Sequence, residues 1–541
     1  MKFHASRAPA SPPLSGKAAA QPNVRWILLG VMLAMLLGML DNMIVGTAMP
    51  TIVGELGGLD HLSWVVSAYT LATAASTPVW GKAGDLLGRK HVFLAAIVVF
   101  LVGSGLSGAA QNMDQLIGFR VLQGIGAGGL AVGAFAIIGE LVSPRERGKY
   151  QGMTATVMAL ATIGGPLVGG VITDSLGWRW AFYLNLPLGL IALAWCWSML
   201  HLSRKRADAR IDYLGAALLT LTITALVLLA TWGGTTYAWS SPRILLCIAA
   251  AAGGIPLFLW SQSIAREPVL PLRIFRERNM ILASFLALVV GVAMFGAVSF
   301  LPLYQQTVQS ASASNSGLLL LPMMIPIVLV SQVAGRVMSK TGKYKVFPIL
   351  GAACLTLGSV LLSTMDTSTG RATACLYMAV LGAGLGFLMQ MVMLIAQNSV
   401  ELKDMGAASG ASTLFRTLGG SFGVALFGAL FNRHIAAGTS GHGSQSVSGQ
   451  LDPARLASMA AGPKSAYLHG VASGIHSIFS WSAILCAAAL VITLFIREVP
   501  LRGKPTPAPE STTAGPAQSR PDTAPGPRAA ASESAVTRIG R

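Results

Sequence analysis

Two side chains of opposite charge interrupt long apolar stretches of the sequence. Asp41 is the only one of the 20 acidic residues that lies well inside such a stretch, and Arg120 is the only basic residue of another. A carboxylate that exchanges its proton for an ion pair, or for a cationic substrate, is the simplest device that couples transport to protons. The two residues therefore predict a proton-coupling site, with a fixed structural salt bridge as the alternative.

Asp41 and Arg120 are expected to lie at one level of a membrane. Counted from the outer ends of their stretches, Asp41 lies roughly 10 Å deep and Arg120 roughly 8 Å deep. Arg416 is a third charged residue within an apolar stretch, close to its start. Its long side chain could line a cavity or extend to the cytosolic face, and both interpretations stay open.

A short charged segment separates the second and third apolar stretches. Asp85 stands between Gly81 and Gly88, with Arg89 and Lys90 directly after them. The glycines permit a tight turn, and the carboxylate can reach the N-terminus of a neighbouring helix and hold two bundles together. This segment is a predicted gating loop; a solvated loop charge is the alternative.

The stretch at 151–173 contains a cluster of small residues around one proline. These residues are Gly164, Gly165, Pro166, Gly169 and Gly170. Glycines remove side chains from one part of a helix and the proline kinks it, so that a neighbouring helix can pack closely there. The pattern predicts a hinge.

Several neutral polar residues are weaker candidates. Gln123, Gln390, Gln397 and Asn398 could line a cavity, as could Arg416, or each could satisfy a neighbouring backbone group. The phosphate-binding pattern Gly-x-x-x-x-Gly-Lys-Ser/Thr does not occur in the sequence, so ATP is not the expected driver. The five cysteines lie in or beside apolar segments without CxxC spacing. We expect no cofactor, no metal site and no disulfide.

The elements that position these residues are predicted to be membrane-spanning helices. The chain has 541 residues, of which 53% are hydrophobic and 11% charged, and its mean hydropathy of +0.64 is incompatible with a soluble fold of this length. Its apolar runs are about 20 residues long, as spanning helices require, rather than the ten alternating residues of a barrel strand. We predict an all-α polytopic membrane protein with fourteen transmembrane helices.

The positions of the basic residues, which give the chain its net charge of +18, indicate the orientation of these helices. Most basic residues lie in the short connections between apolar runs, and they fall on one side of the membrane if both termini are cytoplasmic. In a membrane protein this distribution indicates topology, so no nucleic-acid partner is expected.

The sequence contains an internal repeat. Gly81–Phe93 is echoed by Gly335–Phe347, and Thr162–Pro166 by Thr417–Ser421, at an offset of about 255 residues. Two six-helix halves with two helices inserted between them follow from this duplication. Parallel halves around a central path are typical of transporters.

The repeat and the composition divide the chain into five segments. The first apolar run is too long for a signal peptide and is read as a retained helix. The predicted segments are a cytoplasmic N-terminal segment at 1–25, a six-helix bundle at 26–200, an inserted helix pair with its loops at 201–279, a second six-helix bundle at 280–496 that includes an external loop at 431–473, and a disordered cytoplasmic tail at 497–541.

Four of these motifs together resemble the major facilitator superfamily, and specifically its 14-helix drug:proton antiporter branch. They are Leu40–Pro50, Gly81–Lys90, Arg120–Gly124 and Gly164–Gly170. The resemblance covers about residues 26–496 and extends to multidrug exporters that work with periplasmic adaptor proteins. The sequence departs from the branch at Asn42–Ala48, where the family usually has Thr-Ile-Val-Asn-Val-Ala.

The resemblance implies roles for these motifs. It implies a gate controlled by Asp85 and Arg89, a part in proton transfer for Arg120, and export rather than uptake from the signature Gly164–Gly170. Two further segments, Trp178–Pro187 and Gly406–Arg416, are also similar to the branch. The implied location is the bacterial inner membrane. The implied partners are protons, small molecules, the lipid bilayer and a periplasmic adaptor.

The function predicted from the sequence is therefore proton-coupled efflux of amphiphilic, often cationic compounds by alternating access. One alternative is a dedicated exporter of a single metabolite or self-made antibiotic. A more distant one is a membrane enzyme or non-transporting sensor with the same fold, and a channel is a third. No catalytic Ser/His/Asp arrangement or large terminal domain supports the enzyme or the sensor, and the duplication and the hinge argue against a channel.

Overall fold

A computed structural model describes residues 24–56, 62–201, 212–233, 237–309, 319–439 and 461–500. Nearly all of the predicted N-terminal segment and most of the predicted tail lie outside these ranges. The helices are α1 (Val24–Leu56), α2 (Leu62–Leu87), α3 (Arg89–Gly108), α4 (Met113–Leu141), α5 (Pro144–Ser175), α6 (Arg179–Tyr183), α7 (Asn185–Met199), α8 (Tyr213–Trp232), α9 (Pro242–Ile264), α10 (Arg278–Thr307), α11 (Leu321–Thr341), α12 (Val346–Ser363), α13 (Arg371–Asn398), α14 (Met405–Thr439) and α15 (Ala461–Leu494).

The predicted all-α membrane fold is confirmed. Thirteen helical segments of the described part are long and apolar enough to cross a membrane, and one of them combines α6 and α7. The remaining long helix, α2, is richer in small polar residues and carries Lys82 and Asp85 near its end. Counted with α2, the described residues form the fourteen predicted helices.

Two corresponding turns show the duplication in the backbone. Gly88 ends α2 with φ of 96°, and Gly342 ends α11 with φ of 72°. Only glycine adopts such angles without strain, which explains why both copies of the motif have glycine there. Helices α1–α7 thus form one half and α10–α15 the other, with α8 and α9 inserted between them.

Glycines bring corresponding helix pairs together in both halves. A Cβ atom on Gly165 of α5 would lie 2.3 Å from the Cβ atom of Met43 on α1. In the second half, a Cβ atom on Gly419 of α14 would lie 2.1 Å from the carbonyl oxygen of Leu288 on α10. Both distances are shorter than non-bonded contact allows, so each pair packs with its backbones in near contact.

The structure corrects two predicted loops. The gating segment is almost entirely helical, because α2 continues to Leu87 and only Gly88 separates it from α3. Its charged residues suggested a loop, but Lys82, Asp85 and Arg89 form ion pairs with other side chains of the protein. The predicted external loop at 431–473 is also shorter, since α14 extends to Thr439 and α15 begins at Ala461; residues 440–460 lie outside the described residues.

The two halves meet mainly at one end of the bundle. We call the face at which α1 begins the N-face, and the other the opposite face. Hydrogen bonds between the halves in the described residues, such as Gln332 Nε2 to Thr156 Oγ1 at 3.3 Å and Thr154 Oγ1 to Gln390 Oε1 at 3.3 Å, all lie toward the N-face. The molecule is therefore closed at the N-face.

Candidate functional site

Asp41 and Arg120 form an ion pair inside the first half. Asp41 Oδ2 pairs with Arg120 Nη1, and both side chains are completely buried. Asp41 Oδ1 accepts two further bonds, from Gln123 Nε2 at 2.8 Å and from Asn185 Nδ2 at 2.8 Å. Helices α1, α4 and α7 thus each contribute to one network, in which every charge has a partner. Pairing of this kind offsets the large cost of placing a charge in a membrane interior.

Aromatic side chains enclose the arginine. The guanidinium carbon of Arg120 lies 4.0 Å from the ring centre of Tyr69 and 5.8 Å from that of Phe182. Tyr69 also donates its hydroxyl to the carbonyl oxygen of Gly38, one turn before Asp41. Because the aromatic faces are electron-rich, they stabilise the cation while they keep water away.

Sequence reasoning did not identify Asn185 as a site residue. Besides Asp41, its Nδ2 atom donates to Ser104 Oγ at 3.0 Å, and Ser104 in turn donates to the carbonyl oxygen of Phe182 at 2.8 Å. The available signal was an asparagine near the start of an apolar run; the structure shows it completely buried, and buried amides need partners. Asn185 thereby joins α7 to the carboxylate on α1.

A surface cluster fixes the short helix before Asn185. Glu55, at the end of α1 beyond the apolar span, pairs with Arg179 and accepts from Trp178 Nε1 at 2.8 Å. The bonds from Arg179 and then from Trp178 hold the pKa of the Glu55 carboxyl below its usual value of 4.5. The cluster ties α6 to α1 at the opposite face.

Asp85 joins the two halves at the N-face. Its two carboxylate oxygens accept from the backbone N–H groups of Gly406 and Ala407, each at 3.1 Å. These groups belong to the first turn of α14, where unpaired N–H groups and the helix dipole favour a negative charge. The carboxylate predicted to reach a neighbouring helix N-terminus therefore lies at one, in the other half.

The basic residues of the segment hold Asp85 and the helix ends. Arg89 pairs with Asp85 at 2.9 Å and with Glu140 of α4 at 3.2 Å. Lys90 instead donates to the carbonyl oxygen of Trp197 at 2.8 Å, away from the interface between the halves. Gly81 allows the helices to touch, since a Cβ atom there would lie 2.6 Å from the carbonyl oxygen of Gly406.

The predicted hinge residues lie in α5, against α1. Gly165 and Gly169 face Met43 and Thr47 closely, whereas Gly164 has one neighbour, Leu40, at 4.0 Å. A Cβ atom on Gly170 would meet nothing within 4 Å. Pro166 lies within the helix, which runs continuously past it. Only Gly165 and Gly169 therefore provide close packing, and both lie against α1, the helix that carries Asp41.

The neutral candidates for cavity lining lie in different places. Gln123 belongs to the Asp41 network, and Gln390 bonds Thr154 across the halves. Gln397 donates to the carbonyl oxygen of Phe135 in the other half at 3.2 Å. Asn398 lines a separate cavity of about 680 Å³ at the N-face. These four residues therefore do not line one common cavity.

Arg416 lies about 16 Å from the start of α14, near mid-membrane at 1.5 Å per residue. It borders a cavity of about 10 Å³ together with Ser412, Met389 and Met393. No residue of the described part forms a hydrogen bond or an ion pair with its side chain.

Comparison with known proteins supports the fold and the family. The model of the Major Facilitator Superfamily matches residues 31–424. An MFS-type transporter of Mycobacterium tuberculosis without characterised function is 39% identical over 462 residues, which is 85% of this chain and 67% of the relative. The multidrug transporter protein MdtP of Bacillus subtilis is 37% identical over 416 residues, 77% of each chain.

Solved structures share the fold. The human organic anion transporter MFSD10 superposes with a TM-score of 0.57 at 15% identity, covering 86% of this chain and all of that one. A proton:xylose symporter, XylE, gives a TM-score of 0.56 at 14% identity, covering 85% and 94%. With the matched family model and the relatives above, these likenesses lead to one conclusion: this chain is a multi-pass transporter that belongs to the major facilitator superfamily.

Proposed function

We propose that the protein exports amphiphilic compounds in exchange for protons, and that Asp41 carries the proton. The observation that carries this proposal is the buried network of Asp41, Arg120, Gln123 and Asn185, which holds the one deep carboxylate of the described residues. Relatives named as multidrug proteins and as an efflux pump support export. The N-face is the cytoplasmic one, in keeping with the distribution of basic residues. The protein is located in a bacterial inner membrane.

Protonation of Asp41 would break the network at its centre. A neutral carboxyl no longer balances the charge of Arg120, whose Nη2 atom already has no hydrogen-bond partner among the described residues. An uncompensated buried charge is costly, so the surrounding helices must rearrange when the proton binds. The proton thereby changes the relative stability of two conformations, which is what coupling requires.

A continuous set of contacts connects this site to the N-face. Tyr69, which touches Arg120, lies on α2, the helix that ends with Asp85. Helices α2 and α4 pack with their backbones in near contact, since a Cβ atom on Gly124 would lie 2.5 Å from the carbonyl oxygen of Tyr69. A movement of Arg120 would therefore displace both helices and, with them, the contact between Asp85 and α14.

Proton release from acidified everted membrane vesicles tests this function. Vesicles with the wild type are expected to release protons on addition of at least one compound of a panel with two cations, ethidium and tetraphenylphosphonium, and two anions, fluorescein and nalidixic acid. Vesicles with Asp41→Asn at matched expression are expected to release none. Asp114→Asn, which changes an exposed acid at the start of α4, is the matched control and should behave as the wild type.

Each result has a distinct meaning. Equal release by the wild type and Asp41→Asn would make Asp41 a structural residue and contradict the coupling proposal. No release by either protein would favour the dedicated exporter of one metabolite, for which this panel contains no substrate.

A further inference from the structure

The membrane interior of this protein carries an excess of positive charge. Asp41 and Arg120 neutralise each other, and in the described spans no further carboxylate lies at depth to balance Arg416. A charged side chain near the bilayer centre costs about 2.5–3.5 kcal/mol on insertion scales, and such residues mark substrate or ion pathways. Arg416 therefore requires a role.

Close packing fixes the backbone of Arg416. A Cβ atom on Gly291 of α10 would lie 2.0 Å from the carbonyl oxygen of Arg416, and one on Gly423 would lie 2.9 Å from the Cα atom of Val292. Helix α14 thus cannot slide or rotate freely against α10 at this level. The start of the arginine side chain is held in place, which is what a binding group needs.

The surroundings of Arg416 are apolar and flexible. Met389 and Met393 of α13 and Val290 of α10 line its cavity, and Ser412 contributes a hydroxyl one turn before the arginine. Thr413, three residues before it on α14, has a buried hydroxyl without a hydrogen-bond partner among the described residues. Methionine side chains adapt to ligands of different shape, and two hydroxyls near a cation can complete the binding of an anion.

The cavity has room to expand when the N-face opens. Its volume of about 10 Å³ corresponds to the space of one water molecule. Its wall residue Met393 is buried in the hydrophobic cluster of the first half, together with residues such as Val157. Separation of the halves at the N-face would remove Met393 from that cluster and widen the cavity toward the side from which a substrate enters.

We propose that Arg416 binds the anionic group of the exported molecule, so that the substrates are amphiphilic anions, such as carboxylates or sulfonates with an apolar body. This inference rests on the proposed export function and specifies the substrate class. The sequence led us to expect substrates that are often cationic, because Asp41 seemed available to bind them. In the structure Asp41 is enclosed by its own partners, and the charge without a partner is positive.

Two hydrophobic ions of opposite charge test this inference. 1-Pyrenesulfonate and 1-pyrenyltrimethylammonium share one apolar ring system and carry opposite charges, so their affinities for the purified full-length protein, corrected for uptake by empty detergent micelles, report the preference for an anionic group. We expect the wild type to bind 1-pyrenesulfonate about tenfold more tightly, since a charge-assisted hydrogen bond in an apolar site contributes on the order of 1.4 kcal/mol or more.

Three variants locate the preference. Arg416→Gln should lose it, Arg416→Lys should keep it, and Arg336→Gln, which removes an exposed basic residue of α11, should behave as the wild type. Arg416→Met, which keeps the length of the side chain without its charge and should also lose the preference, replaces Arg416→Gln where that variant does not yield monodisperse protein. Equal affinity of the wild type for both ions, no binding of either, or an unchanged preference in Arg416→Gln would each overturn the inference.

The outcome is independent of proton coupling. Binding is measured without a proton gradient. If the vesicles with Asp41→Asn still release protons, the coupling proposal fails, and the purified wild type can nevertheless show the anion preference. Conversely, a coupled exporter without that preference would retain the proposed function and lose only this substrate class.

Discussion

Asn185 shows how a neutral residue supports a buried charge. It donates to the same carboxylate oxygen of Asp41 as Gln123 does, from a different helix. Two amide donors and one guanidinium, from α4 and α7, fix the direction of the carboxylate on α1. The proton-binding atom is thereby held in one place, and this is the condition under which its protonation can affect several helices together.

Truncation of this amide should be costly. Asn185→Ala leaves Asp41 with one donor fewer, and the loss of a bond to a buried charge is expected to cost about 1–3 kcal/mol. We expect a lower thermal unfolding temperature in detergent and an export rate reduced about tenfold or more, measured by dye efflux from proteoliposomes.

Asn42→Ala is the matched control for stability. Asn42 is adjacent to Asp41 in α1, and its Oδ1 atom is buried without a hydrogen-bond partner among the described residues. Its truncation removes no bond to the carboxylate and should leave the unfolding temperature close to that of the wild type. Equal destabilisation by both variants would show that the bond from Asn185 has no special importance.

Single residues differed in how well the sequence revealed them. Asp41 and Arg120 could be found because a charge in an apolar run is conspicuous, and their equal depth predicted that they meet. Gln123 was only a weak candidate and Asn185 was missed, because an amide in an apolar helix can equally bond a neighbouring backbone group. Their importance depends on which helices are neighbours, and that is a property of the fold.

At the scale of elements, close packing between α1 and α5 depends on individual glycines. A Cβ atom on Gly165 would meet the Cβ atom of Met43 at 2.3 Å, whereas a Cβ atom on Gly170 would meet nothing. The two positions lie five residues apart in one helix, yet only one of them faces the Asp41 helix. The glycines of the predicted hinge thus point in different directions, and only some of them pack against α1.

Alanine substitutions should separate the two glycines. Gly165→Ala forces α5 away from α1 and is expected to destabilise the protein by about 1–3 kcal/mol, as overpacking does. Gly170→Ala should be neutral or slightly stabilising because alanine favours helix more than glycine does. Unfolding temperatures of the purified variants provide the comparison, and similar values for both would contradict the packing described here.

Helix ends were predicted less well than helix centres. The charged residues of Gly81–Lys90 read as a loop because charges normally face water. In the structure Lys82 pairs with Glu267 at 2.8 Å and Asp85 caps another helix, so the charges are compatible with a helix that continues to Leu87. Their partners lie far away in sequence, which local patterns cannot show.

The whole molecule has its two halves in contact at the N-face. The duplication in the sequence predicted two halves, and the paired turns at Gly88 and Gly342 agree with it. The sequence could not predict which end is closed, since one chain must support both conformations of an alternating-access cycle. That choice depends on a small difference in free energy between two sets of contacts.

A reversible cross-link can test the importance of opening at the N-face. A Cβ atom on Gly152 of α5 would lie 3.3 Å from the Cα atom of Gln332 on α11, so Gly152→Cys with Gln332→Cys should form a disulfide under oxidising conditions. Transport is expected to stop on oxidation and to recover with dithiothreitol. The two single-cysteine variants, which cannot form this bond, are the controls; full transport by the cross-linked protein would show that the N-face need not open.

The contact of Gly81 with Gly406 has a consequence for the entropy of closure. The two helices meet there through backbone atoms, since a Cβ atom on Gly406 would lie 2.4 Å from the carbonyl oxygen of Gly81. An interface between longer side chains would immobilise rotamers at about 0.5–1.5 kcal/mol each. Glycines have no rotamers to lose, so the N-face can close and reopen here without ordering and releasing side chains in every cycle.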